Sequence, residues 1–289
     1  MEPAFRQHYD AIILHHYDMN AGTLNDVQGG NDEFARAFLT CPQITLDHAV
    51  KILDEKYGGI PMWITEFNVI GYYRIGNPND EKEDGEITPA DQWIADTANT
   101  PWNALYQAGF WLTAMQHPEA IEILNHHSVL NVDLGWGLGL PYSTDASRLT
   151  ATGQLFAHLS HLGADADEVH LLNLENNPTL ANAFGGNQAS ALHGIAVTND
   201  NTLSLIIINR DADQLELKLP ELGATRANIV TYRGDEQHEH MALVKLNDPD
   251  APVWTQGPMS PSTRFHNLAD DQDGINLPGF SLSVITINK

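Results

Sequence analysis

The fold is decided around residues 61–68, which read Pro61-Met62-Trp63-Ile64-Thr65-Glu66-Phe67-Asn68. This largely apolar segment predicts a buried strand, and Gly58-Gly59 directly before it predicts the end of a helix. Glu66 stands out near the end of the strand, because burying an unpaired carboxylate costs several kcal/mol. We therefore take Glu66 as the first candidate for a functional side chain.

Two other apolar runs end in polar residues in the same way. Residues 11–17 predict a buried strand that finishes in His15-His16-Tyr17. Residues 120–124 predict a further strand, which is followed by Asn125-His126-His127. The chain thus has three predicted strands, each with polar side chains at its carboxyl end.

Helical patterns separate these strands and follow the last one. Thr45 can cap a helix that ends at Gly58-Gly59, and Pro101 suits the first turn of a helix that ends near Pro118. A third helical pattern covers about residues 150–162. Strands that alternate with helices predict a parallel sheet of the kind that builds (β/α)8 barrels.

The pattern changes near Gly163. Six short apolar runs follow, separated by turn residues, and some alternate apolar and polar side chains, as in Leu215-Glu216-Leu217-Lys218-Leu219. Asn199-Asp200-Asn201 predicts a hairpin connection, so this part is typical of an antiparallel β-sandwich. We expect an α/β plus all-β chain, with part of a barrel at 1–163 and a β-sandwich domain at 164–289.

Charge is the most unusual bulk property of the chain. Its 289 residues include 14 Lys and Arg against 38 Asp and Glu, a formal net charge of -24. Such an acidic surface repels nucleic acid and anionic membranes, so we expect neither as a partner.

The composition is otherwise that of an ordinary globular protein, with 42% hydrophobic residues. No apolar run approaches the roughly 20 residues of a membrane helix, and the segment after Met1 does not resemble a signal peptide. We therefore expect a soluble protein without a signal peptide, and its localisation is left open. The lone Cys41 cannot form an internal disulfide.

The polar strand ends form the candidate site, because catalytic groups of a barrel lie at the carboxyl ends of its strands. His15-His16 and His126-His127 could supply metal ligands together with Glu66. Neighbouring strand residues point to opposite faces, however, so each pair offers only one ligand to a common point. No HExxH, paired CxxC, GxSxG, GxGxxG or P-loop motif occurs. A metal-dependent hydrolase is kept as an alternative, and no cofactor or metal is expected.

The segment from Trp63 to Asn68 resembles the seventh barrel strand of the clan A glycoside hydrolases, where a Glu is the nucleophile. Leu14-His15-His16-Tyr17 is similar to their sixth strand, and residues 120–127 would then be the eighth. The resemblance implies that Glu66 is the nucleophile and that His15 and Tyr17 flank it. We predict that His15 and Tyr17, together with Asn68, Asn125 and Trp136, contact the substrate.

A barrel followed by a sandwich that ends in Leu277-Pro278-Gly279-Phe280-Ser281-Leu282-Ser283-Val284 resembles the α-L-arabinofuranosidases of glycoside hydrolase family 51. Agarase-like and xylosidase-like relatives in the clan share much of this plan. The resemblance implies a retaining glycosidase that cleaves plant or algal polysaccharide, with carbohydrate as its substrate.

The second catalytic carboxyl group has no counterpart in the chain. In the clan, the acid/base is a Glu that follows Asn at the end of the fourth strand, and this sequence has no Asn-Glu dipeptide. Glu122 lies inside the third predicted strand and Glu119 before it, so neither is well placed to act as the acid. General acid catalysis contributes roughly 10²–10⁴-fold, so this chain alone should lose most activity.

The resemblance therefore covers only barrel strands six to eight. It implies that a missing N-terminal region or another chain completes the barrel. The alternative is a truncated, non-catalytic remnant that binds carbohydrate or another subunit.

Overall fold

The described parts of the chain in the computed structural model are residues 9–17, 24, 26–27, 29–68, 93, 101–127, 151–220, 226–234, 261–268 and 274–289. The acidic loop expected at about residues 70–100 lies outside these parts, apart from Trp93. Within them, no helix combines the length and the apolar character needed to cross a membrane.

Three parallel strands form the first sheet. They are β1 (Ile12–His16), β2 (Met62–Phe67) and β3 (Ile121–His126), with β2 in the middle. The three predicted strands are thus confirmed, although β3 continues to His126. Because both pairings are parallel, the carboxyl ends of all three strands meet at the same edge of the sheet.

One helix lies between each pair of strands and a third follows β3. They are α1 (Asn31–Tyr57), α2 (Pro101–Gln116) and α3 (Ala151–Ala164). Pro101 opens α2 as predicted, since a proline at the first position removes no helical hydrogen bond. Gly58 follows α1 with φ at 67°, a left-handed conformation that glycine adopts without strain.

The start of α1 corrects the prediction that Thr45 caps this helix. The helix begins at Asn31, and the Glu33 carboxylate accepts a hydrogen bond of 2.8 Å from the N–H of Gly30. Thr45 lies inside the helix, where its hydroxyl donates to the carbonyl of Cys41 at 2.8 Å. A Thr that satisfies its hydroxyl on the preceding turn is compatible with a helix interior, so its cap-like sequence context was misleading.

A proline in the middle of α1 is accommodated by close packing. Pro42 removes one helical hydrogen bond, which usually breaks or kinks a helix. Its ring lies against Gly109 of α2, where a methyl group in place of the glycine hydrogen would come within 3.1 Å of the proline Cγ. The two helices therefore approach closely at this point, and the contact holds both halves of α1 in one helix.

The second half of the chain is antiparallel. The strands of its main sheet are β4 (Glu168–Leu171), β7 (Leu192–Thr198), β8 (Thr202–Asn209), β10 (Arg226–Arg233), β11 (Ser262–Asn267) and β13 (Ser281–Asn288). Their spatial order is β11-β10-β13-β8-β7-β4. Two smaller pairs are formed by β9 (Leu215–Leu217) with β12 (Ile275–Leu277), and by β5 (Thr179–Leu180) with β6 (Ala189–Ser190).

Asn199 makes the predicted hairpin between β7 and β8. Its side-chain oxygen accepts hydrogen bonds from the N–H of Asn201 at 3.0 Å and of Thr202 at 2.8 Å. This local bonding fixes the turn. Strands β11 and β12 were not predicted, since their runs are short and weakly apolar.

Apolar side chains pack on both faces of the six-stranded sheet. On one face, Ile195 shares a core with the three helices and with Met62 of β2. On the other face, Ile207 packs with Leu217 of the small β9–β12 sheet. The helices thus lie between the parallel sheet and the antiparallel sheet. The division into two domains at residue 163 stays a prediction.

Candidate active site

The carboxyl edge of the parallel sheet brings together residues from different parts of the chain. His15 of β1 pairs in register with Glu66 of β2, and Tyr17 follows β1 directly. Phe67 at the end of β2 pairs with His126 of β3. The end of β2 therefore lies between the ends of its two neighbours, and Glu66 lies beside His15.

Glu66 receives two contacts on one carboxylate oxygen. The Tyr17 hydroxyl donates a hydrogen bond of 2.9 Å to Oε2, and His15 Nδ1 lies 3.3 Å from the same atom. The side chains of Glu66 and His15 are 34% and 54% exposed, so solvent reaches both. The carboxylate is thus held by the Tyr17 hydroxyl and reached by solvent, an arrangement that a nucleophile requires.

The backbone around Glu66 is irregular in both pairings. The register with β1 shifts between Leu14 and His15. The register with β3 shifts between Ile64 and Phe67, the interval that contains Glu66. Bulges of this kind re-aim side chains and are frequent beside active sites.

His16 and Phe67, the strand residues that follow His15 and Glu66, point toward the helices. His16 is buried, with Nε2 at 2.9 Å from the hydroxyl of Thr45. Phe67 is fully buried, and its ring centroid lies 4.8 Å from that of Phe110 in α2. The two members of the His15-His16 pair thus face opposite ways, as the strand alternation predicted.

Asn68 is fully buried behind the site. Its side-chain N–H donates to the carbonyl of His127, and its side-chain oxygen accepts a hydrogen bond of 2.7 Å from Gln107 Nε2 in α2. The predicted contact between Asn68 and substrate stays a prediction, and the structure gives this side chain an inward, structural set of partners.

The other predicted substrate residues are only partly described. Asn125 is exposed in β3, one residue before the end of the strand, whereas Trp136 lies outside the described residues. Within the described parts of the chain, no group of three His, Cys, Asp or Glu side chains is placed to hold a metal ion.

Glu122 lies within β3, where its carboxylate accepts a hydrogen bond of 2.8 Å from Trp63 Nε1. The Glu122 carboxylate is therefore hydrogen-bonded to a side chain of the neighbouring strand β2. The contact of Gln107 with Asn68 and that of Thr45 with His16 were not predicted from the sequence. The one available signal for Gln107 was an amide side chain within the otherwise apolar α2.

Comparison of the structure with solved structures identifies the fold. The chain matches an α-L-arabinofuranosidase from Thermotoga maritima with a TM-score of 0.56 and 15% identity, over 97% of this chain and 53% of that chain. It matches a family 51 α-L-arabinofuranosidase from Bifidobacterium longum with a TM-score of 0.59 and 13% identity, over 98% and 54%. A third match is the family 51 arabinofuranosidase of Xanthomonas axonopodis pv. citri, at 0.55 and 17%, over 96% and 52%.

This chain has a fold similar to part of a family 51 arabinofuranosidase. It spans about half the length of the solved structures that it matches. No family model matches the sequence, and no curated protein matches it either. At 13–17% identity the likeness concerns the fold. The predicted resemblance to this family is confirmed at that level.

Proposed function

We propose that the chain carries the nucleophile half of a retaining glycoside hydrolase, with Glu66 as the nucleophile. The observation that carries this proposal is the Glu66 carboxylate at the carboxyl edge of the parallel sheet, held on one oxygen by Tyr17. The substrate class is plant or algal polysaccharide, and an arabinofuranoside is the first candidate because of the fold likeness.

In a retaining mechanism, a carboxylate attacks the anomeric carbon and forms a covalent glycosyl-enzyme, which water then hydrolyses. Tyr17 and His15 both contact Oε2 of Glu66, so they would restrain the carboxylate and leave Oε1 to attack. Exposed His15 and Asn125, and Trp136 by sequence position, are the proposed sugar contacts. Asn68, which is buried, would support the end of β2 from inside the protein.

The acid/base would come from a polypeptide that completes the barrel. Within the described residues, β1 and β3 each pair on one side only, so both outer edges of the parallel sheet are open. Ile13, at the first of these edges, is 62% exposed. Parallel sheets are almost always covered on both faces and continued by further strands. The completing polypeptide, an N-terminal region or another chain, would place its carboxyl group about 5–5.5 Å from Glu66.

The test replaces Glu66 by Gln, both in this chain and in a version joined to the completing region. We expect release of the aryl group from aryl α-L-arabinofuranosides to fall at least about 10³-fold, because the amide cannot form the glycosyl-enzyme. Glu122→Gln is the matched control, since it removes a carboxylate from the same sheet and should leave turnover within about twofold.

Retained turnover in Glu66→Gln would remove Glu66 from the mechanism. The second candidate is a non-catalytic protein that binds carbohydrate or another subunit, and the half-length match to the arabinofuranosidases favours it. Sugar binding without turnover, in the joined version as well as in the chain alone, would support this candidate.

A further inference from the structure

A buried amide network ties the end of β2 to its surroundings. The N–H of Asn68 donates to the His16 carbonyl at 3.4 Å, and its side-chain N–H donates to the His127 carbonyl. Asn68 thereby connects the end of β2 to His16, the last residue of β1, and to His127, which directly follows β3. The N–H of His127 in turn donates to the Phe67 carbonyl at 3.2 Å.

The network continues into α2 through Gln107. This residue is fully buried, and Nε2 donates both to Asn68 at 2.7 Å and to the Asn103 side-chain oxygen at 3.0 Å. The amide of Asn68 must donate to the His127 carbonyl, so its oxygen is the atom that faces Gln107. The His127 carbonyl thus sets the orientation of the Asn68 amide, and Gln107 of α2 holds its oxygen.

Glu66 depends on this network because its own stretch of strand is irregular. The ladder between β2 and β3 is interrupted from Ile64 to Phe67, so on this side regular pairing does not hold Glu66, which is paired with His15 on the β1 side. Phe67 is anchored in the core and Asn68 by hydrogen bonds, directly after Glu66 in the chain. These two residues face away from solvent, so they can hold the backbone without contacting a sugar.

We propose that Gln107 and Asn68 are positioning residues for the Glu66 carboxylate. Gln107 holds Asn68, Asn68 closes the irregular end of β2 against both neighbouring segments, and Glu66 is thereby aimed at Tyr17 and His15. The catalytic consequence of this positioning rests on the proposed function. The orientation of the Glu66 carboxylate does not, because it can be measured in the folded chain without any reaction.

The test compares Gln107→Leu with Gln116→Leu. Both changes remove an amide of α2, and Gln116 donates to the Gly194 carbonyl at 3.1 Å, away from the strand ends. The first readout is the ¹³C resonance of the Glu66 carboxyl carbon at pH 7 in chain labelled at glutamate, assigned by its loss in Glu66→Gln. We expect it to move in Gln107→Leu and to stay in place in Gln116→Leu.

The second readout is covalent labelling of Glu66 by 2,4-dinitrophenyl 2-deoxy-2-fluoro-α-L-arabinofuranoside, followed by mass spectrometry. Glu66 forms a bond to the anomeric carbon while the bond to dinitrophenolate breaks, and this leaving group departs with its electron pair and needs no acid. We expect the rate at saturation to fall about 10-fold to 100-fold in Gln107→Leu, with half-saturation unchanged, since a misaimed nucleophile slows chemistry more than binding.

An unmoved Glu66 resonance in Gln107→Leu, or an equal movement in Gln116→Leu, would overturn the positioning role. If the wild-type chain is not labelled, the proposed function fails for this chain, while the resonance still decides the positioning role. Should Gln107→Leu not fold, Gln107→Met, which keeps the unbranched shape, takes its place in both measurements.

Discussion

At the scale of single residues, the site depends on which oxygen of Glu66 is held. The Tyr17 hydroxyl donates to Oε2 at 2.9 Å, and His15 Nδ1 lies 3.3 Å from the same atom. Solvent reaches the carboxylate, whose side chain is 34% exposed. The position of Glu66 therefore rests on a few contacts whose removal can be measured one at a time.

Replacing Tyr17 by Phe removes the hydrogen bond to Glu66 and keeps the ring. One hydrogen bond to a charged group is worth about 1.5–3 kcal/mol, so we expect labelling of Glu66 by the activated fluoro-arabinoside to slow about 10-fold to 100-fold. Tyr57→Phe is the control, since Tyr57 ends α1 at the opposite, amino edge of the sheet. Equal rates in the two variants would show that the Tyr17 hydroxyl does not support Glu66.

At the scale of helices and strands, the site depends on how closely α1 and α2 approach. Pro42 lies against Gly109, so the packing of α1 holds α2, the helix that carries Gln107 on a different face. Most side chains of α2 are buried. A change in the distance between these two helices should therefore displace Gln107 and, through it, the end of β2.

Gly109→Ala tests this spacing. A methyl group would lie 3.1 Å from Pro42 Cγ and 3.2 Å from its Cβ, closer than side chains normally pack. We expect the free energy of unfolding, measured by urea denaturation, to fall by about 1–3 kcal/mol, the usual effect of overpacking.

Gly163→Ala is the matched control, because it adds the same methyl group to α3 where no atom lies within 4 Å. Alanine favours a helix over glycine, so this variant should gain up to about 1 kcal/mol. A similar loss in both variants would mean that helix spacing at Gly109 is not the cause.

Local signals explain which elements could be predicted. Pro101 at the start of α2 and Gly58 at the end of α1 act within one turn of chain, so sequence alone places them. The start of α1 was misplaced although the bond between Glu33 and Gly30 is local, because the sequence does not show that Pro42 can lie inside the helix, against a glycine far along the chain.

The same distinction applies to the site. Glu66 and His15 could be predicted, since each ends an apolar run with a polar side chain. The family resemblance implied that Tyr17 flanks Glu66, and the Tyr17 hydroxyl does donate a hydrogen bond to it. Gln107 could not be predicted, because its partner Asn68 comes from another element and only the folded chain brings the two amides together.

At the scale of the whole molecule, polar contacts accompany the core that joins the helices to the antiparallel sheet. His193 of β7 is buried, with Nε2 at 3.1 Å from the hydroxyl of Thr113 in α2. Arg210 is also buried, and Nη1 donates to Gln43 of α1 at 2.7 Å. Burial, the charge of Arg210 and His117 together hold the pKa of His193 well below its usual 6.5.

This pKa predicts loss of stability in acid. Folded His193 stays neutral while unfolded His193 takes up a proton below about pH 6.5, so the unfolded state binds more protons there. The contribution is fully present above about pH 6.5 and is lost as the pH falls toward the folded pKa. We expect urea denaturation to show a lower free energy of unfolding at pH 5 than at pH 7. The difference should be smaller in His193→Gln, and an equal difference in both proteins would count against this assignment.

The shared core also governs what becomes of the chain when it is cut. Ile195 and Met62 belong to one continuous apolar cluster, although the first lies in the antiparallel sheet and the second at the start of β2. A protease that nicked the chain near residue 163 would not release two independent pieces, since each would leave half of that cluster in water. The fragments should remain together or unfold together, so the stability of the parallel sheet that contains Glu66 depends on strands of the antiparallel sheet.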